Sequence, residues 1–142
     1  MRAMSAVSKE LSREKGRADQ RLLVVDDDPD IRRLITSLAE EEGYNVVALE
    51  DGREAYRKLM SDANFGAVIL DMMMPNLKGA DIARYMRTEK RLMRIPVLMI
   101  TGGDELSLMA DSFEAGATAF LPKPFTPEQL QSTLRLFLGK TH

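Results

Sequence analysis

Apolar residues along this chain come in short unbroken runs, each followed by a longer amphipathic stretch. The first run, RLLVV at 21–25, has no polar alternation, which is the pattern of a strand buried on both faces. DPDIRRLITSLAEEEG comes next, and its Ile31, Leu34, Ile35 and Leu38 share one helical face. Asp28 is placed to cap that helix, Pro29 to take its first position and Gly43 to end it. The same alternation continues through YNVVAL (44–49, strand), GREAYRKLMSD (52–62, helix), AVILD (67–71, buried strand) and ADIARYMRTEK (80–90, helix). IPVLMI (95–100) predicts another buried strand, ELSLMADSFEAG (105–116) a helix ended by Gly116, and ATAFL (117–121) a strand. TPEQLQSTLRLFL (126–138) opens on a capping box, Thr126 with Gln129, and has Pro127 at the first helical position. Tyr56, Met60, Met86, Met99, Phe113 and Phe137 are expected in the core.

Five strand–helix pairs in strict alternation predict an α/β fold: a five-stranded parallel sheet with helices on both faces. Right-handed crossovers make it an open doubly wound (βα)5 domain. Residues 1–20 are polar without a clear apolar period and are expected to form a tail, leaving residues 21–140 as the single domain. In such sheets chemistry sits beyond the carboxyl ends of the strands, near the point where strand order reverses. The residues delivered there are Asp26, Asp27 and Asp28 after the first strand, Asp71 at the end of the third, Thr101 after the fourth and Lys123 after the fifth.

Composition narrows the chemistry. With 142 residues, 44% of them apolar and 30% charged, the chain suits one globular domain, and a net charge of −2 offers no electrostatic reason to bind nucleic acid directly. There is no cysteine, and the one histidine is the terminal His142, so thiolate sites, His-based metal clusters and His-based triads are excluded. Cysteine-free composition suits a reducing cytosol, and a cytoplasmic location is expected. No apolar run approaches the ~18 residues of a membrane-spanning helix and the N-terminus lacks an apolar signal core, so membrane insertion is not expected.

Carboxylates held close together repel, and keeping them ionised requires a cation. With oxygen ligands alone the natural choice is Mg²⁺. A metal beside a lysine is a means of neutralising a transferring phosphoryl group, and a carboxylate such as Asp71 can be the nucleophile that receives it. Thr101 could then donate to a phosphoryl oxygen. Taken singly, each residue has a plainer reading. Asp28 is most simply a helix cap, Asp26 and Asp27 solvated loop carboxylates, Thr101 a turn residue, Lys123 an exposed lysine, and Met72, Met73 and Met74 loop packing. Their coincidence at one sheet edge favours a site.

The segments VVDDDPD, VILDMMMPNLKG, MITGG and FLPKPF together resemble the receiver domain of bacterial two-component response regulators, over residues 21 to 138 without an obvious insertion or deletion. The resemblance implies a flavodoxin-like sheet of strand order 2-1-3-4-5. It implies that Asp71 accepts a phosphoryl group from a phosphohistidine on a sensor histidine kinase or a histidine phosphotransfer protein. Asp27, Asp71 and the Met73 backbone carbonyl would bind Mg²⁺ directly, and Asp26 mainly through a water. Lys123 would pair with the carboxylate and then with the phosphoryl group. Thr101 and the switch aromatic Phe120 would move inward and reshape the surface of the fourth helix, fifth strand and fifth helix for a downstream effector. The Lys123–Pro124 bond would be cis. Such a protein is a regulator, not an enzyme on other substrates; it catalyses only its own phosphorylation and dephosphorylation.

Several positions depart from the family's pattern. Phe120 offers no hydroxyl where tyrosine is frequent, and Gly102 and Gly103 leave the loop after Thr101 bare. GATAF lacks an acidic residue that transcription-factor receivers often use for symmetric pairing. The chain stops four residues after its last predicted helix, so a stand-alone receiver is expected over a fragment cut from a longer regulator. Among rivals, a haloacid-dehalogenase-type phosphatase would want Thr or Val where Asp30 stands and an acidic pair downstream of Lys123. A flavodoxin-like electron carrier would set three aspartates against its FMN phosphate. A degenerate receiver is disfavoured because every phosphorylation position is filled.

Overall fold

A computed structural model of the chain describes residues 20–102 and 105–139, without the side chains of residues 105 and 106. Residues 1–19 of the expected tail, Gly103 and His142 lie outside the described residues. The elements run β1 (Arg21–Val25), α1 (Pro29–Glu41), β2 (Asn45–Leu49), α2 (Gly52–Ser61), β3 (Ala67–Asp71), α3 (Gly79–Thr88), β4 (Val97–Thr101), α4 (Glu105–Glu114), β5 (Ala119–Pro122) and α5 (Pro127–Gly139). The five strands form one parallel sheet in the order β2-β1-β3-β4-β5.

The apolar runs become the two-faced sheet interior because successive strand residues point to opposite faces. Leu23, Val25, Val68, Leu70, Val97 and Met99 face one cluster, covered by α2, α3 and α4 through Ala55, Leu59, Ile82, Met86 and Leu108. Leu22, Val24, Ile69, Leu98 and Ile100 face the other, covered by α1 and α5 through Ile35, Ala39, Leu130, Leu134 and Phe137. Each fully buried Leu or Ile contributes roughly 1.5–3 kcal/mol relative to exposure.

Local signals operate as their chemistry requires. The Asp28 carboxylate accepts from the amides of Asp30 and Ile31, with Pro29 at the first helical position. Gly43 takes a φ of +94° where α1 stops. At α5 the Thr126 hydroxyl accepts from the Gln129 amide, and the Gln129 side chain accepts from the Thr126 amide.

The fourth and fifth strands start two residues later than their apolar runs. The chain enters β4 through Pro96, which has no N–H to donate, although its carbonyl accepts from Val68 at 3.0 Å. Before β5, the Ala117 amide turns back to the Ser112 carbonyl to close α4, and only the Thr118 amide reaches across to Val97. Two residues expected in the core lie largely outside it: Met60 is 53% and Phe113 45% exposed. Each follows a fully buried helical neighbour, Leu59 and Ser112, and the ~100° step per residue turns it off the covered arc. Met86, Met99 and Phe137 are buried and Tyr56 is half-buried.

Candidate functional site

Strand order reverses at β1: α1, which follows β1, and α3, which follows β3, lie on opposite faces, so a crevice opens beyond the ends of β1 and β3. The last pair in register there is Val25 with Leu70. One step further along each strand stand Asp26 and Asp71, both almost wholly buried. The exposed Asp27 joins them, and one carboxylate oxygen from each of the three lies within 4.8 Å of the others. Asp28 is held apart by its work as the α1 cap.

Lys123 reaches the pair from the end of β5. Its Nζ donates to Asp71 Oδ2 at 3.4 Å and stands 3.4 Å from Asp26 Oδ2. The Lys123 amide is anchored to the Thr101 carbonyl at 2.6 Å, and the Lys123–Pro124 peptide is cis. Thr101 is 1% exposed, and its hydroxyl donates to the Gly102 carbonyl at 3.1 Å rather than to Asp71. Phe120 is half-buried against the α3–α4 cluster that includes Leu108 and Met99.

The carboxylates are short of compensating charge. Asp71 is pushed up from 3.8 to about 7, by burial first and then by the Asp26 charge; Lys123 and the Met73 amide pull against this. Burial raises Asp26 as well, against the amide of Asp28 and the Lys123 charge. Burial draws Lys123 down, but Asp71 and Asp26 outweigh it and leave the ammonium held above its usual value. Asp26 Oδ1 accepts from the Asp28 amide at 2.8 Å, whereas the buried Oδ2 has no hydrogen bond among the described residues, Lys123 standing at ion-pair distance only. An unsatisfied buried carboxylate oxygen beside two further carboxylates fits an oxygen-ligated divalent cation, which would relieve both the repulsion and the missing bond.

The loop after β3 shapes the rest. The Met73 amide donates to Asp71 Oδ1 at 3.1 Å. Met72 and Met74 are buried, each 5% exposed, while Met73 is 51% exposed. The loop closes through the Gly79 amide on the Met72 carbonyl, and a Cβ at Gly79 would stand 2.5 Å from the Asp71 carbonyl oxygen. That contact gives a physical reason for a glycine eight positions after the aspartate. Sequence reasoning missed Arg32, whose guanidinium donates to the Asp26 carbonyl at 2.7 Å. An arginine on an amphipathic helix carries no signal of such a bond.

Comparison with known proteins agrees with this geometry. The family model described as "Response regulator receiver domain" matches residues 22–135. Response regulator MprA of Mycolicibacterium vanbaalenii is 39% identical over 121 residues, 85% of this chain and 51% of that protein. Chemotaxis protein CheY1 of Helicobacter pylori is 36% identical over 120 residues, 84% of this chain and 97% of that protein. The chain thus spans about half the length of some relatives and nearly all of others. Among solved structures, the chemotaxis response regulator CheY4 of Vibrio cholerae superposes with a TM-score of 0.76 at 32% identity, covering 86% of this chain and 99% of that one. The receiver domain of a Pseudomonas aeruginosa sensor histidine kinase, solved with a magnesium ion coordinated in its active site cleft, gives 0.73 at 28% identity, covering 84% and 98%. Among the described residues no helix is long and apolar enough to cross a membrane.

Proposed function

We propose a function from one premise: this chain belongs to the response regulator receiver domain family, a regulatory family of two-component systems. It acts as a phosphorylation-dependent signalling switch, with residues 21–140 as the receiver and Asp71 as the phosphoacceptor. The observation that carries this reading is the placement of Asp71: buried, in ion-pair contact with Lys123 and grouped with Asp26 and Asp27.

Asp26, Asp27, Asp71 and the Met73 carbonyl would hold Mg²⁺. When bound, the ion supplies charge neutralisation for the ionised carboxylates and for the phosphoryl oxygens. Asp71 provides the nucleophile. One of its oxygens bonds the phosphorus as the phosphorus–nitrogen bond of a partner's phosphohistidine breaks, and the electron pair leaves with the imidazole. The donor is a sensor histidine kinase or a histidine phosphotransfer protein in the cytoplasm. Lys123 stays with the phosphoryl group and offsets its charge. Thr101 gives up its bond to the Gly102 carbonyl for a charge-assisted one to a phosphoryl oxygen, Phe120 follows, and the face formed by α4, β5 and α5 changes for an effector. The reading holds for a stand-alone receiver and for a receiver within a longer regulator.

The test is incubation with acetyl phosphate, with and without Mg²⁺, followed by intact mass. One phosphoryl group should be gained only with Mg²⁺, and a chain that gains none contradicts the reading.

A further inference from the structure

The loop that follows Asp71 is gripped at its far end by the start of α2, an element that supplies no residue to the carboxylate cluster. Asn76, at the loop tip, has a φ of +73°, and among the described residues it is the one non-glycine with a positive φ. Its side chain spans to α2 in both polarities: Nδ2 stands 3.4 Å from Asp51 Oδ2, and Oδ1 accepts from Arg53 Nη2 at 3.3 Å. Asp51 is itself fixed, because its Oδ1 caps α2 by accepting from the Arg53 amide at 2.7 Å. Beside this latch the two backbones nearly touch. A Cβ built on Gly52 would lie 2.0 Å from the Leu77 carbonyl oxygen, so no larger residue fits there unless the loop moves. At its base the same loop is closed by the Gly79 amide on the Met72 carbonyl, against the backbone of Asp71.

We infer that Asp51, Gly52 and Asn76 are positioning residues for the Asp71 site: they set the position of the loop that delivers the Met73 peptide to Asp71. The inference rests on the receiver reading proposed above. Its physical basis is leverage. The segment between the tip at Asn76 and the base at Met72 is a few residues long, and the Met73 amide within it already bonds Asp71 Oδ1 at 3.1 Å. A shift of the tip is therefore passed to the Met73 peptide. The latch itself is solvent-exposed, and exposed hydrogen bonds of this kind contribute little to global stability. Positioning and stability can accordingly be separated by experiment.

Asn76→Gly tolerates the left-handed backbone and removes only the side-chain latch. Calorimetric Mg²⁺ titration of the full chain should show affinity weakened about tenfold, the low end for losing a group that orients metal ligands. The urea midpoint of the metal-free protein should stay near the wild-type value, and Met73 amide exchange should accelerate relative to core amides such as Ile69. The paired exchange Asp51→Asn with Asn76→Asp swaps donor and acceptor at unchanged net charge, and it should restore Mg²⁺ affinity to within about twofold of wild type. Wild-type affinity and Met73 exchange in Asn76→Gly would overturn the inference while leaving the receiver reading in place, as would a paired variant as weak as Asn76→Gly. A wild-type chain without any Mg²⁺ response would overturn the receiver reading and the inference with it.

Discussion

Lys123 Nζ stands 3.4 Å from Asp71 Oδ2 across 52 positions of sequence. The same nitrogen stands 3.4 Å from Asp26 Oδ2, so one ammonium faces two buried carboxylates and leaves them under-compensated.

Stability of the metal-free protein should therefore fall as pH rises. Asp71 titrates near 7 in the fold, against 3.8 ordinarily, and Asp26 is also raised. Between these limits the folded chain keeps protons that the unfolded chain has released, which favours the fold most at the acidic end of that window. Asp62 acts outside it. Its partial burial is outweighed by the Asn64 amide and Arg21, so its lowered value gives stability that is lost only below the ordinary carboxylate range. Urea midpoints in EDTA should decline from about pH 5 to about pH 7.5, and saturating Mg²⁺ should flatten the decline, because the ion binds the ionised forms. A metal-free midpoint that rises over this range contradicts the charge deficit.

Asp71→Asn should gain no phosphoryl mass with acetyl phosphate and Mg²⁺. Its metal-free form should be more stable than wild type by roughly 1–2 kcal/mol, one unit of relieved pKa shift being worth about 1.4 kcal/mol. Lys123→Ala should keep the acceptor but phosphorylate about a hundredfold more slowly, the scale of losing one charge-stabilising group. Phosphorylation of Asp71→Asn to the wild-type extent would remove Asp71 from the role.

Thr101→Ala should still accept a phosphoryl group but transmit it weakly. The threonine hydroxyl bonds the Gly102 carbonyl in this state, and only a phosphoryl oxygen would draw it inward. Coupling of this type is worth about 1–3 kcal/mol, so NMR shifts over α4 and β5 on phosphorylation should shrink markedly. Shifts equal to those of wild type would exclude the coupling.

Gly79→Ala should destabilise the fold by about 1–3 kcal/mol, as overpacked buried sites do, because the new methyl would meet the Asp71 carbonyl oxygen at 2.5 Å. Urea unfolding reads the loss directly. Reduced Mg²⁺ affinity should accompany it, since the displaced group is the backbone of Asp71 itself.

Signals carried by neighbouring residues were legible in the chain. RLLVV and AVILD announce strands buried on both faces, because a continuous apolar run has no solvent side to face. Asp28 with Pro29, and Thr126 with Gln129, mark helix starts through bonds spanning at most three residues. From the alternation came the parallel sheet, and from the sheet the edge at which Asp26, Asp27, Asp71, Thr101 and Lys123 would gather. The strand order came with the family resemblance rather than from the pattern, since a crossover can carry a strand to either side of its predecessor.

Tertiary structure decided what depends on distance across crossovers. Met60 and Phe113 are apolar at helical spacing yet lie off the covered arc, because the width of that arc is set by the packed sheet and not by the helix. The unbonded Asp26 Oδ2, the sharing of Lys123 between two carboxylates and the closure of Gly52 on Leu77 each need two segments brought together by the sheet. Residue types and order determined which groups reach the site. The bonds they make there, and which oxygen is left without one, follow from where the folded backbone holds each side chain.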